Sequence, residues 1–377
     1  MIYSYGFKIT GKSHEQDNAP CQDAYYIHKC SDGMVIAAVA DGLGSCDHSD
    51  IASQMAVEIS VEYCKENLLA GDIESVNVCD VIRKSFVAAT NAIEDKVQEE
   101  GGDLSQYYNT LSLAVLLNDT LYYGHAGDSG IVALTHKGIF EKVTEQQQDE
   151  DDRVFHLRFH DKWQFGQFEE KVCSVLLATD GILHFLFPPL LRTEKVKARV
   201  NTLREMIDNR LIHIDEHGEN AVQLRTQNGF NDIPTKEFLD DDLTVVVLVN
   251  VSITPETPSD DYYAEPDWKE LYRKQNEEYQ RANDEYLRKT NEEYVRKGIM
   301  KAIVEDKVED KKGDVERQDV HTMSTDNPDD GSEASNNAPD NMTATAQPDE
   351  VAEGDKTNSE KINQNFFNKL SILFFGK

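Results

Sequence analysis

The stretch Gly33-Met-Val-Ile-Ala-Ala-Val-Ala40 followed by Asp41-Gly-Leu-Gly44 decides how this sequence folds. The first eight residues are an apolar, partly β-branched run of strand length bounded by turn residues, which reads as a buried strand. An acidic residue sits immediately at its end. The same kind of run recurs at Thr110–Leu117, Lys171–Ala178 and Leu243–Val249. Between the first two lie Ser49–Leu69 and Val78–Glu99, where apolar residues return at three- and four-residue spacing, as amphipathic helices require. Leu121–His125 and Gly130–Leu134, joined through Ala126-Gly-Asp-Ser129, read as a hairpin. Phe187–Leu211 reads as a helix with Pro188-Pro189 at or before its first turn. Strands outnumber helices and often follow one another directly. The expectation is therefore an α+β chain with sheets packed together and helices outside, not a βαβ winding.

The informative feature is where the aspartates stand relative to these runs. Asp41 follows one run, Asp180 follows another and precedes Gly181, Asp241 and Asp242 precede a third, and Asp23 precedes Ala24-Tyr-Tyr-Ile27. Any one Asp-Gly pair is ordinary turn punctuation. Four strand-end positions together are a different matter, because carboxylates converging on one edge repel unless a hard divalent cation with oxygen ligands joins them. Two such ions about 3.5–4 Å apart can activate a bridging water and hold a phosphoryl group for in-line attack. Glycine at position 42 lets the main chain come close enough for its carbonyl to serve as a further ligand.

On Gly11-Lys-Ser-His14, Pro20-Cys-Gln-Asp23-Ala, Val39-Ala-Asp41-Gly-Leu-Gly44-Ser, Gly127-Asp128-Ser129, Ala178-Thr-Asp180-Gly-Ile182 and Asp241-Asp-Leu-Thr244, the chain resembles the metal-dependent type 2C serine/threonine protein phosphatases, in particular their bacterial branch. The resemblance covers Gly6 to about Val249. It implies a four-layer α-β-β-α sandwich of two antiparallel sheets flanked by helices, and hydrolysis of phosphoserine and phosphothreonine in proteins. It also implies two Mn²⁺ or Mg²⁺ ions, with a weaker third. The ligands would be Asp23, Asp41, the Gly42 carbonyl, Asp180 and Asp241, with Asp128 supporting the site or binding the weaker ion.

Two departures from the family pattern bear on chemistry. Between Gly11 and Asp23 there is no arginine to grip the substrate phosphate, which leaves Lys12 or His14 for that contact. Leu43 stands where many relatives carry a histidine, so His14 is the candidate general acid for the leaving seryl oxygen. His125 and His184 read as structural.

The 38 Lys+Arg against 70 Asp+Glu give a formal charge of -32, which sets nucleic acid aside as a partner and disfavours anionic membranes. No run approaches the roughly 20 apolar residues of a membrane span, and no basic start leads into an apolar stretch, so the expected location is cytoplasmic. The six cysteines form no Cys-x-x-Cys pair. Composition changes sharply near Asn250. The expected organisation is a phosphatase domain over 1–250 and a charged, helical segment over 251–310, with Tyr272, Tyr279 and Tyr286 at heptad spacing. An acidic disordered linker over 311–361 and a short apolar end over 362–377 complete it. Expected partners are a phosphoprotein substrate, its cognate kinase and a protein that takes the tail. Rival readings are an inactive pseudophosphatase that senses or scaffolds phosphoproteins, and a small-molecule phosphatase or purely structural acidic protein.

Overall fold

The computed structural model describes residues 1–30, 33–69, 76–188, 191, 197–231, 240–264 and 266–296. Among the described residues ten strands form two five-stranded antiparallel sheets. The first sheet has the order β1 (Ile2–Ile9), β10 (Leu243–Asn250), β9 (Val172–Ala178), β6 (Gly130–Thr135) and β7 (Phe140–Lys142). The second has the order β2 (Ala24–Lys29), β3 (Met34–Ala40), β4 (Leu111–Leu117), β5 (Thr120–Ala126) and β8 (Gln164–Gln167). Helices α2 (Ser49–Leu69) and α3 (Val78–Glu100) cover the second sheet, and α4 (Asp180–Leu186), α5 (Val200–Ile207), α6 (Asn209–Ile212), α7 (Ile214–His217) and α8 (Glu219–Asn231) accompany the first. Helix α1 (Lys12–Asp17) follows β1, and α9 (Trp268–Arg296) lies beyond the last strand.

Each central strand feeds two cores, which explains why the runs are apolar throughout. Side chains alternate across a strand. On β3, Ile36, Ala38 and Ala40 pack toward α2 and α3, while Val35, Ala37 and Val39 pack against the other sheet. Likewise on β10, Val245, Val247 and Val249 face the helices beside the first sheet, whereas Val246 and Leu248 face the second sheet. Two buried faces demand apolar residues at every position. The result is the four-layer α-β-β-α sandwich.

Local signals set the helix ends. Asn77 accepts a hydrogen bond from the Asp80 N–H at 3.1 Å and so caps α3, which ends at Gly101 in the left-handed region (φ 67°).

Two expectations need correcting. The segments read as a hairpin, now β5 and β6, belong to different sheets, so Ala126–Ser129 carries the chain across the sandwich. Gly127 makes that crossing with φ 108°, and a Cβ there would lie 2.5 Å from the Thr110 side chain. Of the continuous helix expected over Phe187–Leu211, residues 189, 190 and 192–196 lie outside the described residues, and the part from Val200 on is two helices, α5 and α6, divided at Asp208. That residue is extended, its carboxylate accepts from the Arg210 N–H at 3.1 Å to cap α6, and its buried charge pairs with the Arg210 guanidinium at 2.7 Å.

Two compact units divide the chain, the first taking in Met1–Asn276. Past Asn250 the first unit continues as a strap. Glu256 N–H donates to the His136 carbonyl at 2.7 Å, Tyr262 Oη accepts from Phe140 N–H at 2.8 Å, and Arg210 donates to the carbonyls of Pro255 and Glu256. Helix α9 carries i,i+4 pairs along its surface, among them Glu277–Arg281, Glu285–Lys289 and Arg288–Glu292, which suit a solvated single helix. The rest of the charged segment (297–310), the linker expected over 311–361 and the apolar end over 362–377 lie outside the described residues. Among the described residues no helix is long and apolar enough to cross a membrane.

His125 is fully buried between Ser112 and Glu145. Its Nε2 lies 3.1 Å from the Glu145 carbonyl oxygen and its Nδ1 lies 2.8 Å from Ser112 Oγ. A carbonyl can only accept, so Nε2 carries the proton and Nδ1 accepts from the hydroxyl. Burial pushes its pKa down to about 4. The unfolded chain therefore binds a proton that the folded chain refuses between about pH 6.5 and pH 4, and stability falls as pH drops through that window. The expected loss from this one group between pH 7 and pH 5 is about 2 kcal/mol. Denaturant titrations at the two pH values should show His125→Gln losing that much less than the parent.

Candidate metal centre

Strand register brings the acidic residues to one end of both sheets. Ala24 pairs with Ala40, so Asp23 before β2 and Asp41 after β3 stand side by side. In the first sheet Ile9 pairs with Leu243, and Ala178 pairs with both Val245 and Gly130. Asp241 before β10, Asp180 after β9 and Asp128 before β6 thereby share one end. Thr179 Oγ1 donates to Asp23 Oδ2 at 2.7 Å and ties the two ends together across the sandwich.

Each position is locked by its own neighbours. Asp41 N–H donates to Thr110 Oγ1 at 2.9 Å, Thr110 N–H returns a bond to the Asp41 carbonyl at 2.8 Å, and Ser129 Oγ lies 2.7 Å from the same Thr110 hydroxyl. Gly42 threads between the carbonyl oxygens of Gln22 and Ser49, each 2.7 Å from where a Cβ would stand. No side chain fits there. Gln148 Nε2 donates to Asp128 Oδ2 at 3.0 Å, and Gln146 Nε2 donates to the Asp128 carbonyl at 2.9 Å.

The electrostatics are those of a crowded acidic cluster. Burial is the largest cause in every case. It pushes Asp23 and Asp41 well above the usual carboxylate range and raises Asp180 and Asp241, and neighbouring carboxylates push in the same direction. Asp128 is pushed up to about 7 by burial and by Asp180.

This donor set fits a hard divalent cation in its chemistry. Among the described residues no Lys or Arg forms an ion pair with any of the five carboxylates, and Asp128 Oδ1 and Asp180 Oδ1 are buried without a hydrogen-bond partner. Oxygen ligands lacking a counter-charge are what Mg²⁺ or Mn²⁺ takes. The cluster is not a finished cage, however, because among the described residues no group of three or more His, Cys, Asp or Glu side chains is arranged around one point. A bound cation would supply the counter-charge that no lysine or arginine among the described residues gives these carboxyls.

His14 is brought to the centre: its Nδ1 lies 2.9 Å from Asp242 Oδ2, an ion-pair contact and not a well-aligned hydrogen bond. Lys12 stands on the same short helix, half-buried, and among the described residues forms no side-chain hydrogen bond or ion pair. His184 Nδ1 lies 3.9 Å from Asp180 Oδ2, with the ring largely exposed.

The residue that sequence reasoning passed over is Asp242. It is 3% exposed, accepts from the Gly11 and Gln22 N–H groups at 2.6 Å each, and faces His14. Gly11 is pressed so close that a Cβ would lie 2.4 Å from the Asp241 main chain. One carboxylate thus holds both ends of the segment that carries His14. Only its place beside Asp241, at the mouth of a strand, hinted at this.

These features define an α-β-β-α sandwich with a buried acidic cluster across the ends of both sheets. The Protein phosphatase 2C family model matches residues 10–214, and the chain belongs to that family. Family membership supports protein serine/threonine phosphatase function in general terms. No curated protein matches the chain. Among solved structures it is similar to the serine/threonine phosphatase PstP/Ppp of Mycobacterium tuberculosis, at 17% identity and TM-score 0.45, covering 68% of this chain and 99% of that one. It is similar to PppA of Pseudomonas aeruginosa at 16% identity and TM-score 0.45, covering 66% and 97%. The catalytic domain of PstP in complex with 2 manganese ions is similar at 18% identity and TM-score 0.45, covering 66% and 97%.

Asp242→Ala strands two main-chain donors, the buried Gly11 N–H and the half-buried Gln22 N–H, an unpaired buried donor costing about 1–3 kcal/mol. The expected outcome is a stability loss of about 2–4 kcal/mol, measured by denaturant unfolding. An unchanged midpoint would show that the Gly11–Gln22 segment is held by something else.

Proposed function

We propose that the chain hydrolyses phosphoserine and phosphothreonine in proteins, with two Mn²⁺ or Mg²⁺ ions and a weaker third held by Asp23, Asp41, the Gly42 carbonyl, Asp128, Asp180 and Asp241. The observation that carries this reading is the convergence of five carboxylates, without lysine or arginine partners among the described residues, from both sheets of a protein phosphatase 2C family chain. Bound divalent ions would supply charge for the phosphoryl oxygens and lower the pKa of water.

The chain's own residues supply position and a proton. Thr110 and Thr179 hold Asp41 and Asp23 in place, and Gln148 orients Asp128. Asp242 lies against His14 Nδ1, which fixes the ring and leaves Nε2 to deliver a proton to the departing seryl oxygen. Lys12, on the same helix, adds positive charge for the substrate phosphate.

Catalysis belongs in this reading to 1–250, and the charged segment 251–310 and the tail beyond it engage a protein partner. The other partners are a phosphoprotein and its cognate kinase. Six free cysteines agree with a reducing cytoplasm. The second reading, a pseudophosphatase that senses phosphoproteins, draws on the missing arginine between Gly11 and Asp23 and on the unfinished cage.

Turnover of a phosphoserine peptide should need added Mn²⁺ or Mg²⁺, and Asp41→Asn should lower it by on the order of 100-fold or more. Activity that persists in EDTA would sink the metal mechanism, and calorimetric Mn²⁺ binding without turnover would favour the sensor. His14→Ala should cost on the order of 10²–10⁴-fold on the phosphopeptide and much less on p-nitrophenyl phosphate, whose leaving group departs without a proton. Equal losses on both substrates would assign His14 to phosphate binding instead.

A further inference from the structure

The strap beyond β10 ends on a cation sandwiched between two rings. Arg199, just before α5, places its guanidinium 4.7 Å from the Phe185 ring centroid and 4.1 Å from that of Trp268, and its Nη2 donates to Tyr272 Oη at 2.8 Å. Phe185 belongs to α4, and Trp268 and Tyr272 form the first turns of α9 within the first compact unit. Arg199 also closes the far end of α4: its Nε–H donates to the Phe185 carbonyl at 3.0 Å and its main-chain N–H to the Leu186 carbonyl at 2.8 Å. These are carbonyls that a helix end leaves without partners, and a cation there is favourable.

The helix so held is two turns long, and its first residue is Asp180. Its middle has little freedom. Ile182 and Leu186 are fully buried, and Gly181 sits so close to strand β10 that a Cβ would lie 2.5 Å from the Asp242 carbonyl oxygen. A shift at one end of so short and tightly packed a rod is passed to the other.

The geometry points to Trp268 and Tyr272 as positioning residues that act through Arg199 and α4 on Asp180, so that the root of the C-terminal helix sets how tightly the acidic centre holds a divalent cation. This rests on the proposed function in taking Asp180 as a ligand. It goes further in making a segment outside the sandwich part of the centre, and a partner that pulls on α9 would be felt at Asp180. The strap also explains why three arginines face aromatic rings and hydroxyls there: Arg204 stacks on Tyr263 at 4.0 Å and Arg210 reaches Tyr263 Oη at 3.4 Å, but neither touches α4 through these contacts.

The test compares Trp268→Ala with Tyr263→Ala in the full chain, by calorimetric titration with Mn²⁺ and by hydrogen exchange of the α4 amides. Trp268→Ala should weaken Mn²⁺ binding roughly tenfold, in the range of losses seen when a group behind a metal ligand is removed, and should speed α4 exchange. Tyr263→Ala should change binding less than about twofold while costing comparable stability, and Trp268→Phe should restore most of the affinity. Equal Mn²⁺ affinity in parent and Trp268→Ala, or equal weakening by Tyr263→Ala, overturns the clamp. Should Trp268→Ala not fold, Tyr272→Phe, which deletes one hydroxyl, carries the same comparison with a loss of roughly threefold expected. A parent chain that binds no Mn²⁺ overturns the proposed function instead, and α4 exchange unchanged by Trp268→Ala would then reject the clamp independently.

Discussion

Crowding five carboxyl groups into the buried end of two sheets raises the free energy of every ionised one among them, and much of the neighbouring structure serves to hold them there. The threonines and glutamines that fasten Asp23, Asp41 and Asp128 do so with neutral dipoles. A lysine or arginine at the same places would relieve the repulsion and also remove the demand for a cation. The ammonium of Lys8 is spent on the Asp23 main-chain carbonyl and not on its carboxyl. Leaving the charge uncompensated costs stability, and that cost is the property a cation site needs.

The sandwich supplies the rigidity to bear it. Every central strand is packed on both faces, so the strand ends cannot splay to let the carboxylates separate. Gly11 and Gly42, both pressed against neighbouring main chain, let backbone fill space that side chains would need. The carboxylate of Asp242 plays the opposite part to its neighbours: its charge is satisfied by main-chain donors, and it organises structure where they store repulsion.

What was legible in the sequence was local. A run such as Met34–Ala40 announces a strand buried on both faces, and an aspartate at its end announces an exit from the core, so the positions of Asp23, Asp41, Asp180 and Asp241 could be read directly. What was hidden depended on which strands become neighbours. A four-residue link looks the same whether it closes a hairpin or crosses between sheets, so β5 and β6 were misread as partners. The break at Asp208 needs Arg210 and a cap that helical periodicity does not register. Strand β1 mixes Tyr, Ser, Gly and Lys with its apolar residues and carries no clean run. The grip of Arg199 on Trp268 joins residues far apart in the chain, and composition placed Trp268 in the tail.

The pairing of β1 with β10 has a consequence for the order in which the molecule can be made. Ile2 pairs with Asn250 and Ile9 with Leu243, so the first of the described strands to be synthesised waits for the last of them before it has a neighbour in its own sheet. Until β10 has left the ribosome, β1 has an unpaired backbone, and the Gly11–Gln22 segment lacks the carboxylate that holds it. The second sheet, by contrast, can close from Ala24 to Gln167 while translation continues. Long-range closure of this kind is slow and comes late. A nascent chain therefore carries its acidic residues without the geometry that makes them a centre, and ions meet an assembled site only once the whole sandwich has been released.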